Sequence, residues 1–248
     1  MPLSTSVGYR KNIAPSVPKS IMRLLQFSTS HYCRKARLAL GYKKIPYQVE
    51  NLTPGLHALK LKPLTGLTTL PVLLPEQTEQ PAAIGDSTQI LRFLEAYQPD
   101  PPLFLSNPAD QTTAEVLEDW LDESIGVATR FIYYDYRAKE GKQINPALSA
   151  QLVIQVVRWQ YSITPAAVEL ATKRLAIALT ELNDRWRSSP YLVGAQLSVA
   201  DIAAAALLSP LALIPSYRQA HPWLFERIIE VHQRCGEALP PGLEGGGG

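Results

Sequence analysis

Cysteine is scarce in this sequence: there are two in 248 residues, Cys33 and Cys235, far apart and without the regular spacing of a disulfide framework. A disulfide-stapled secreted fold is excluded on that ground, and a reducing cytoplasm is the expected compartment. Histidine is no denser. His31, His57, His221 and His232 stand alone, none in a Cys/His ligand pattern, so no metal is expected. An excess of one charge is missing too, since 24 basic residues face 22 acidic ones and the basic residues are scattered. No stripe exists that would neutralise a phosphate backbone, and nucleic acid is not an expected partner. Nor is there a long hydrophobic run. The most apolar stretch, Ile202 to Ile214, falls short of the roughly 20 residues that span a bilayer, and it holds Pro210. It reads as a buried helix, and no membrane partner is expected. The first twenty residues carry Arg10, Lys11 and Lys19 but no continuous apolar segment, which reads as a mobile leader rather than a secretory signal.

What is present is apolar material for real cores, 46% of residues, in a chain long for one compact domain and comfortable for two. Arg23-Leu-Leu-Gln-Phe27 followed by Ser28, Thr29 and Ser30 predicts a buried strand and a tight turn. A helix follows over Tyr32–Leu40, with Cys33, Ala36 and Leu40 on its inner side, Arg34, Lys35 and Arg37 mostly elsewhere, and Gly41 as its C′ stop. Further strands are expected at Tyr47–Leu52, Pro71–Leu74 and Ala82–Ile84, with a helical or irregular piece at Gly55–Lys62 and a hairpin at Pro75–Pro81. Gly85-Asp86-Ser87, with Gln89 three residues after Asp86, opens a helix whose apolar face is Ile90, Leu91, Leu94 and Tyr97. The order is β-α-β-α-β-β-α. Gln98-Pro-Asp-Pro-Pro102 ends it, because three prolines in five residues remove donors and fix φ.

Everything beyond that linker reads as helix. Three starts carry a cap followed by proline: Asn107-Pro108, Asn145-Pro146 and Thr164-Pro165. Apolar spines follow them, running Leu117, Leu121, Ile125, Ala128 and Ile132 in the first helix, and Leu148, Leu152, Val156 and Trp159 in the second. The third has Val168, Leu175, Leu179, Leu182 and Trp186. A fourth opens at Ser198, whose pairing with Asp201 is a capping box.

Four features, in this order and spacing, make the chain resemble the soluble, two-domain glutathione transferases of serine type over roughly Ile21 to Leu239. They are Ser30-His-Tyr-Cys33-Arg34-Lys35 leading into Arg37-Leu-Ala-Leu40, Leu70-Pro71 before an apolar strand, Gly85-Asp86-Ser87 opening a helix, and Gly194 through Asp201 opening the buried helix. The residues divide the chain into a leader at 1–20, a linker at 98–106 and a flexible tail at 241–248, and the resemblance implies a thioredoxin-like glutathione-binding domain at 21–97 and an all-α domain at 107–240. It also implies a homodimer, a conjugating and detoxifying reaction, no tightly bound cofactor, and glutathione with a small hydrophobic electrophile as substrates.

By that resemblance Ser30 is the catalytic residue, its hydroxyl bonding the glutathione sulfur. A thiol of pKa ~8.5 is only ~3% ionised at pH 7, and lowering the pKa by about 2 units takes roughly 2.7 kcal/mol. A helix N-terminus supplies at most about 2 kcal/mol and a hydrogen bond to a charged group about 1.5–3, so the two together suffice. Ser30 also fits as a plain helix cap. Cys33 stands where the second cysteine of a Cys-x-x-Cys pair would be, and with Ser30 in the first position a dithiol mechanism is excluded. It reads as a small buried hydrophobe or as the partner of a mixed disulfide. The resemblance further implies that Asp86 and Ser87 bind the γ-glutamyl end of glutathione. It makes Pro71 a cis-proline that leaves the Leu70 backbone to pair with the cysteinyl part. The approach Lys62-Pro-Leu-Thr-Gly-Leu-Thr-Thr-Leu-Pro71 departs from the family pattern and lacks the lysine adjacent to the strand, so Lys62 or Lys60 either substitutes for it or is solvated. Asp119, Glu123, Gly126, Arg130, Tyr133 and Arg137 share a face of the first long helix, opposite its spine. That face lines a second-substrate pocket, with Tyr133 and Tyr134 as aromatic walls, or a dimer interface, or is solvated. Two other functions stay open: a non-catalytic binding or regulatory protein of the same fold, and a thiol transferase acting through Cys33.

Overall fold

The computed structural model describes residues 21–75 and 81–244. The expected leader at 1–20, the inner part of the expected hairpin at 76–80 and the glycine run at 245–248 lie outside the described residues. The apolar run after Ile21 forms β1 (Met22–Gln26), with Met22, Leu24 and Leu25 buried, inside a four-stranded sheet ordered β2-β1-β3-β4. β2 (Tyr47–Asn51) lies parallel to β1, a pairing that needs a crossover, and α1 (His31–Tyr42) supplies it. β3 (Val72–Leu74) runs antiparallel to β1 in the register Leu25↔Val72, and β4 (Ile84–Gly85) antiparallel to β3 in the register Val72↔Gly85. α2 (His57–Thr65) and α3 (Ser87–Tyr97) complete a thioredoxin-like β-α-β-α-β-β-α unit. These registers bring the end of β1, the start of β3 and the end of β4 to the same end of the sheet.

The helical half follows. α4 (Pro108–Trp120) starts where expected, the Asn107 side chain accepting from the backbone N–H groups of Ala109 and Asp110 at 2.9 and 3.2 Å. One wide π-turn, Leu121–Ile125, joins it to α5 (Gly126–Ala138). α6 (Leu148–Gln160), α7 (Pro165–Ser188), α8 (Val199–Leu207), α9 (Pro215–Ala220) and α10 (Pro222–Cys235) complete the order. α8 is buried at every residue and packs on α1, α4 and α10. Its start is held by the Asp201 carboxylate, which accepts from the backbone N–H groups of Ser198 and Leu192. No helix of the described residues is long and apolar enough to cross a membrane.

Four local expectations are corrected. Arg34, Lys35 and Arg37, placed mostly off the inner side of α1, are all buried, because α1 is enclosed by α3, α8 and α10 as well as the sheet. Gly41 is not the stop; α1 runs on to Tyr42, and a Cβ at Gly41 would lie 2.1 Å from the Cys235 backbone oxygen, so glycine permits the close crossing of α1 and α10. Asn145 does not cap α6. The helix begins at Leu148, and the Asn145 side chain bonds the Ala147 N–H in the preceding turn. Finally, the expected spine of α6 is its exposed side: Leu148 and Trp159 are each 83% exposed, Leu152 and Val156 more than half, and Ile154 alone is buried. Periodicity identifies an apolar face but not what covers it.

One buried ionisable group of α10 sets a pH dependence. His232 is fully buried, its Nδ1 2.7 Å from the Ile228 carbonyl oxygen, and burial pulls its pKa down to about 4. Between pH 6.5 and 4 the unfolded chain takes up a proton that the folded chain refuses, so stability is full above pH 6.5 and falls as pH drops through that window. The loss amounts to about 3 kcal/mol by pH 4. Urea melts at pH 7.5 and 4.5 are expected to show this decline, and His232→Gln is expected to flatten it.

Candidate functional site

The turn that leaves β1 becomes the N-terminus of α1. Ser30 has extended backbone (φ −73°, ψ 124°), and its hydroxyl oxygen accepts from the Cys33 N–H at 3.3 Å. A serine hydroxyl has two lone pairs and one proton, so capping uses a lone pair and leaves the proton for a sulfur, here that of Cys33 beside it. Ser30 is half-buried and Cys33 is fully buried. Burial raises the Cys33 thiol, outweighing the hydrogen bonds from Ser30 and the Phe27 backbone that favour the thiolate. Cys33 is a protonated thiol facing inward.

Beside this turn, the Leu70–Pro71 peptide is cis and leads into β3. Asp86 follows β4 with φ 73°, the left-handed region that a non-glycine residue seldom takes, and its side chain accepts from the Gln89 N–H at 3.0 Å to start α3. Ser87 is 2% exposed, and its Oγ has no hydrogen-bond partner among the described residues. A buried hydroxyl left unbonded is costly, and this one keeps its hydrogen-bonding capacity unused. The sheet registers therefore bring Ser30, Leu70–Pro71 and Asp86–Ser87 to one end of the sheet. Lys62 is not among them on the same terms: it is exposed in the last turn of α2, while Lys60 pairs with Glu50.

The other wall of this region comes from α5. The Arg130 guanidinium lies over the rings of Tyr32 (5.1 Å) and Tyr161 (4.4 Å), Arg137 donates to the Tyr133 hydroxyl at 2.8 Å, and Tyr133 meets Tyr134 edge to face at 5.1 Å. Burial pushes the Tyr134 phenol up to about 12. The Tyr32 hydroxyl donates to the Asp122 carbonyl at 2.8 Å, and a Cβ at Gly126 would sit 2.9 Å from that hydroxyl oxygen. His31 is buried beside them, and desolvation, reinforced by Arg130, holds its pKa well below the usual value.

Sequence reasoning missed the group that ties the two walls together. The Lys35 ammonium, with no exposed surface, donates to the Asp122 carboxylate at 2.6 Å and the Thr88 hydroxyl at 3.1 Å, and it also pairs with Glu118. Thr88 in turn donates to Glu118 at 2.7 Å. Burial raises the Asp122 carboxyl against the pull of Lys35. The signal was faint, a lysine in a helix otherwise bound for the core.

Comparison with known proteins gives this geometry a family. A model of the glutathione S-transferase N-terminal domain matches residues 24–102, and one of the glutathione S-transferase C-terminal domain matches residues 165–232, together more than half of the chain. The chain belongs to the glutathione S-transferase family. FtsZ-localized protein A of Caulobacter vibrioides is 26% identical over 179 residues, 71% of each chain. Among solved glutathione S-transferases, that of Methylobacterium radiotolerans, in complex with glutathione sulfonate, aligns with a TM-score of 0.67 at 22% identity, covering 89% of this chain and 95% of the other. FzlA from C. crescentus aligns with a TM-score of 0.63 at 21% identity, covering 86% and 92%. At these identities the structural likeness is one of fold.

In this member of the glutathione S-transferase family, removing Lys35 would strand two buried carboxylates. Lys35→Met is expected to cost about 3–5 kcal/mol of stability at pH 7, measured by urea unfolding. The loss should shrink at acid pH, where the Asp122 carboxyl, raised by burial, is protonated.

Proposed function

We propose that this protein conjugates the thiolate of glutathione to small electrophiles, with Ser30 as the hydrogen-bond donor to the sulfur. The observation that carries the reading is the meeting, at one end of the sheet, of a helix-capping hydroxyl, a cis-proline turn and the buried, unbonded hydroxyl of Ser87. Each suits one part of the tripeptide. The α3 N-terminus and Ser87 Oγ would receive the γ-glutamyl carboxylate, with the Asp86 carboxylate near its ammonium. The Leu70 backbone would pair with the cysteinyl residue as an added strand does. Ser30 and the N-terminus of α1 would then hold the sulfur, and the α5 wall with Arg130, Tyr133, Tyr134 and Arg137 would face the electrophile. Burial of Cys33 weighs against its use as the thiol of a transferase.

A second reading has its own support. The long approach from Lys62 to Pro71 places no lysine against β3, and one relative is named for its localisation with FtsZ, so a binding or regulatory role on the same fold is the alternative. Calorimetry with glutathione separates the two, since a heat of binding is expected for the first and none for the second.

Ser30→Ala is expected to lower the glutathione-conjugating rate with a chloronitrobenzene substrate by about 10- to 150-fold, the equivalent of about 1.5–3 kcal/mol for a hydrogen bond to a charged sulfur. It should cost only about 1 kcal/mol of stability as a lost cap. Cys33→Ala should leave the rate nearly intact. The reverse pattern would assign the chemistry to Cys33.

A homodimer is part of the same proposal, and the exposed face of α6 is its candidate contact. That helix holds no carboxylate, and its one charged residue, Arg158, is paired with Asp135, so two copies of the face meet without like-charge repulsion. Trp159→Glu with Leu152→Glu is expected to convert a dimer to a monomer in sedimentation; a wild-type monomer at micromolar concentration would remove the proposal.

A further inference from the structure

The helical half carries a groove that the candidate site does not use. One side of it is a face of α7, where Thr172, Ala176, Thr180 and Asn183 follow one another at helical spacing. The other side is the turn from α9 into α10, where Pro222 opens α10 and Tyr217, His221 and Trp223 reach the groove. The space between them is about 420 Å³, the size of a small-ligand pocket. It draws no residue from the thioredoxin-like unit or from α5.

The three rings form a continuous aromatic surface. Tyr217 and His221 lie 6.1 Å apart at 31°, His221 meets Trp223 edge-on at the same distance, and Trp223 backs onto the buried Trp186 at 6.0 Å. Each of the three is half-buried, so packing holds the rings while they still face the groove. Burial raises the Tyr217 phenol and lowers the His221 imidazole, so both are neutral at pH 7. No charged residue lines this space. The adjoining stretch, which shares Asn183 and Trp223, sets Arg187 and Arg227 against Glu226 and Glu230 and so offers an ion no net field. An ion entering the groove would lose hydration without meeting a counter-charge, whereas a neutral flat ring loses little and gains the aromatic faces.

The polar heads decide which ring. Thr172 and Thr180 spend their hydroxyl protons on the carbonyl oxygens of Val168 and Ala176, at 2.9 and 3.2 Å. The Asn183 amide makes no hydrogen bond to another of the described residues. An asparagine amide presents one acceptor and one N–H donor side by side in a plane, the complement of the N7 acceptor and N6 amino donor of adenine. A base held by that edge rests its face on aromatic side chains, an interaction that binds bases without help from charge.

We infer that this groove is a binding site for the adenine ring of a nucleoside, with Asn183 pairing to the N6–N7 edge and Tyr217, His221 and Trp223 forming the stacking surface. The site is separate from the proposed glutathione site and does not depend on it.

The full chain is titrated calorimetrically with adenosine and with purine riboside, which lacks the 6-amino group. Adenosine is expected to bind, and purine riboside to bind at least about fivefold more weakly. Asn183→Ala should bring the two within about twofold of each other. Arg92→Gln, on the exposed face of α3, should leave the preference whole. AMP is expected to bind no more tightly than adenosine, because no charge lines the groove, and excess glutathione is expected to leave adenosine binding unchanged. No heat with adenosine at about 1 mM, equal affinities for the two nucleosides, a methyl glucoside bound in place of adenosine, a gain from the phosphate of AMP, or displacement by glutathione would each overturn the assignment. The outcome is independent of whether conjugation occurs, and the wild-type comparison stands even if a variant fails to fold.

Discussion

The structure depends on how a fully enclosed helix keeps its charges. α1 is enclosed by the sheet and three helices, yet Arg34, Lys35, Arg37 and, at its end, Lys43 are buried in it or against it. A buried cation costs several kcal/mol unless opposite charge and hydrogen-bond acceptors meet it, and for Lys35, Arg37 and Lys43 they do. The acceptors come from distant parts of the chain. Asp122 and Glu118 from the helical half meet Lys35, Glu237 from beyond α10 meets Arg37 at 2.6 Å, and the carbonyl oxygens of Gln98 and Pro99 in the linker meet Lys43. Each contact fixes one long-range relation, so α1 serves as the template on which linker, helical half and C-terminal segment are aligned.

The same arrangement places the candidate site next to its strongest constraint. Thr88, which accepts from Lys35 and donates to Glu118, follows directly on Ser87, whose hydroxyl is the unbonded one. Hydrogen bonds on one side of the α3 N-terminus are fully used and on the other side are free. Such a turn is held rigidly on its protein side, and under the proposed function its unbonded side is the one that would receive the charged end of the tripeptide.

Much of the fold was legible because it is written locally. The strand-turn-helix of Arg23 to Leu40, the Asn107 and Thr164 caps, the Ser198–Asp201 pairing and the all-buried α8 rest on signals within a few residues of one another. What failed to show was decided at long range. Lys35 was placed off the inner side of its helix because its carboxylate partners, Asp122 and Glu118, stand more than eighty residues away. Gly41 looked like a stop because the Cys235 backbone that crowds it belongs to the last helix. On α6 the apolar period was read correctly and its burial was not, since a pattern along one helix says nothing about whether another element of the same chain covers it. In the candidate site, Ser30, Asp86 and Ser87 announced themselves as helix starts. The cis geometry at Leu70–Pro71 was expected from family resemblance alone, since periodicity carries no sign of it.

The π-turn between α4 and α5 is a matter of register. Glu118, Asp122, Gly126 and Arg130 stand four residues apart, and all four lie against α1, the first two at Lys35 and the last two at Tyr32. An ideal α-helix advances such a series by about 40° per step, so that over three steps the line would wander by about 120°. The wide turn at Leu121–Ile125 absorbs most of that drift and gives the rod a local repeat close to four. It works as a vernier between two rulers of different spacing. A chain one residue shorter there would align either its buried ion cluster or its arginine–tyrosine stack with α1, but not both.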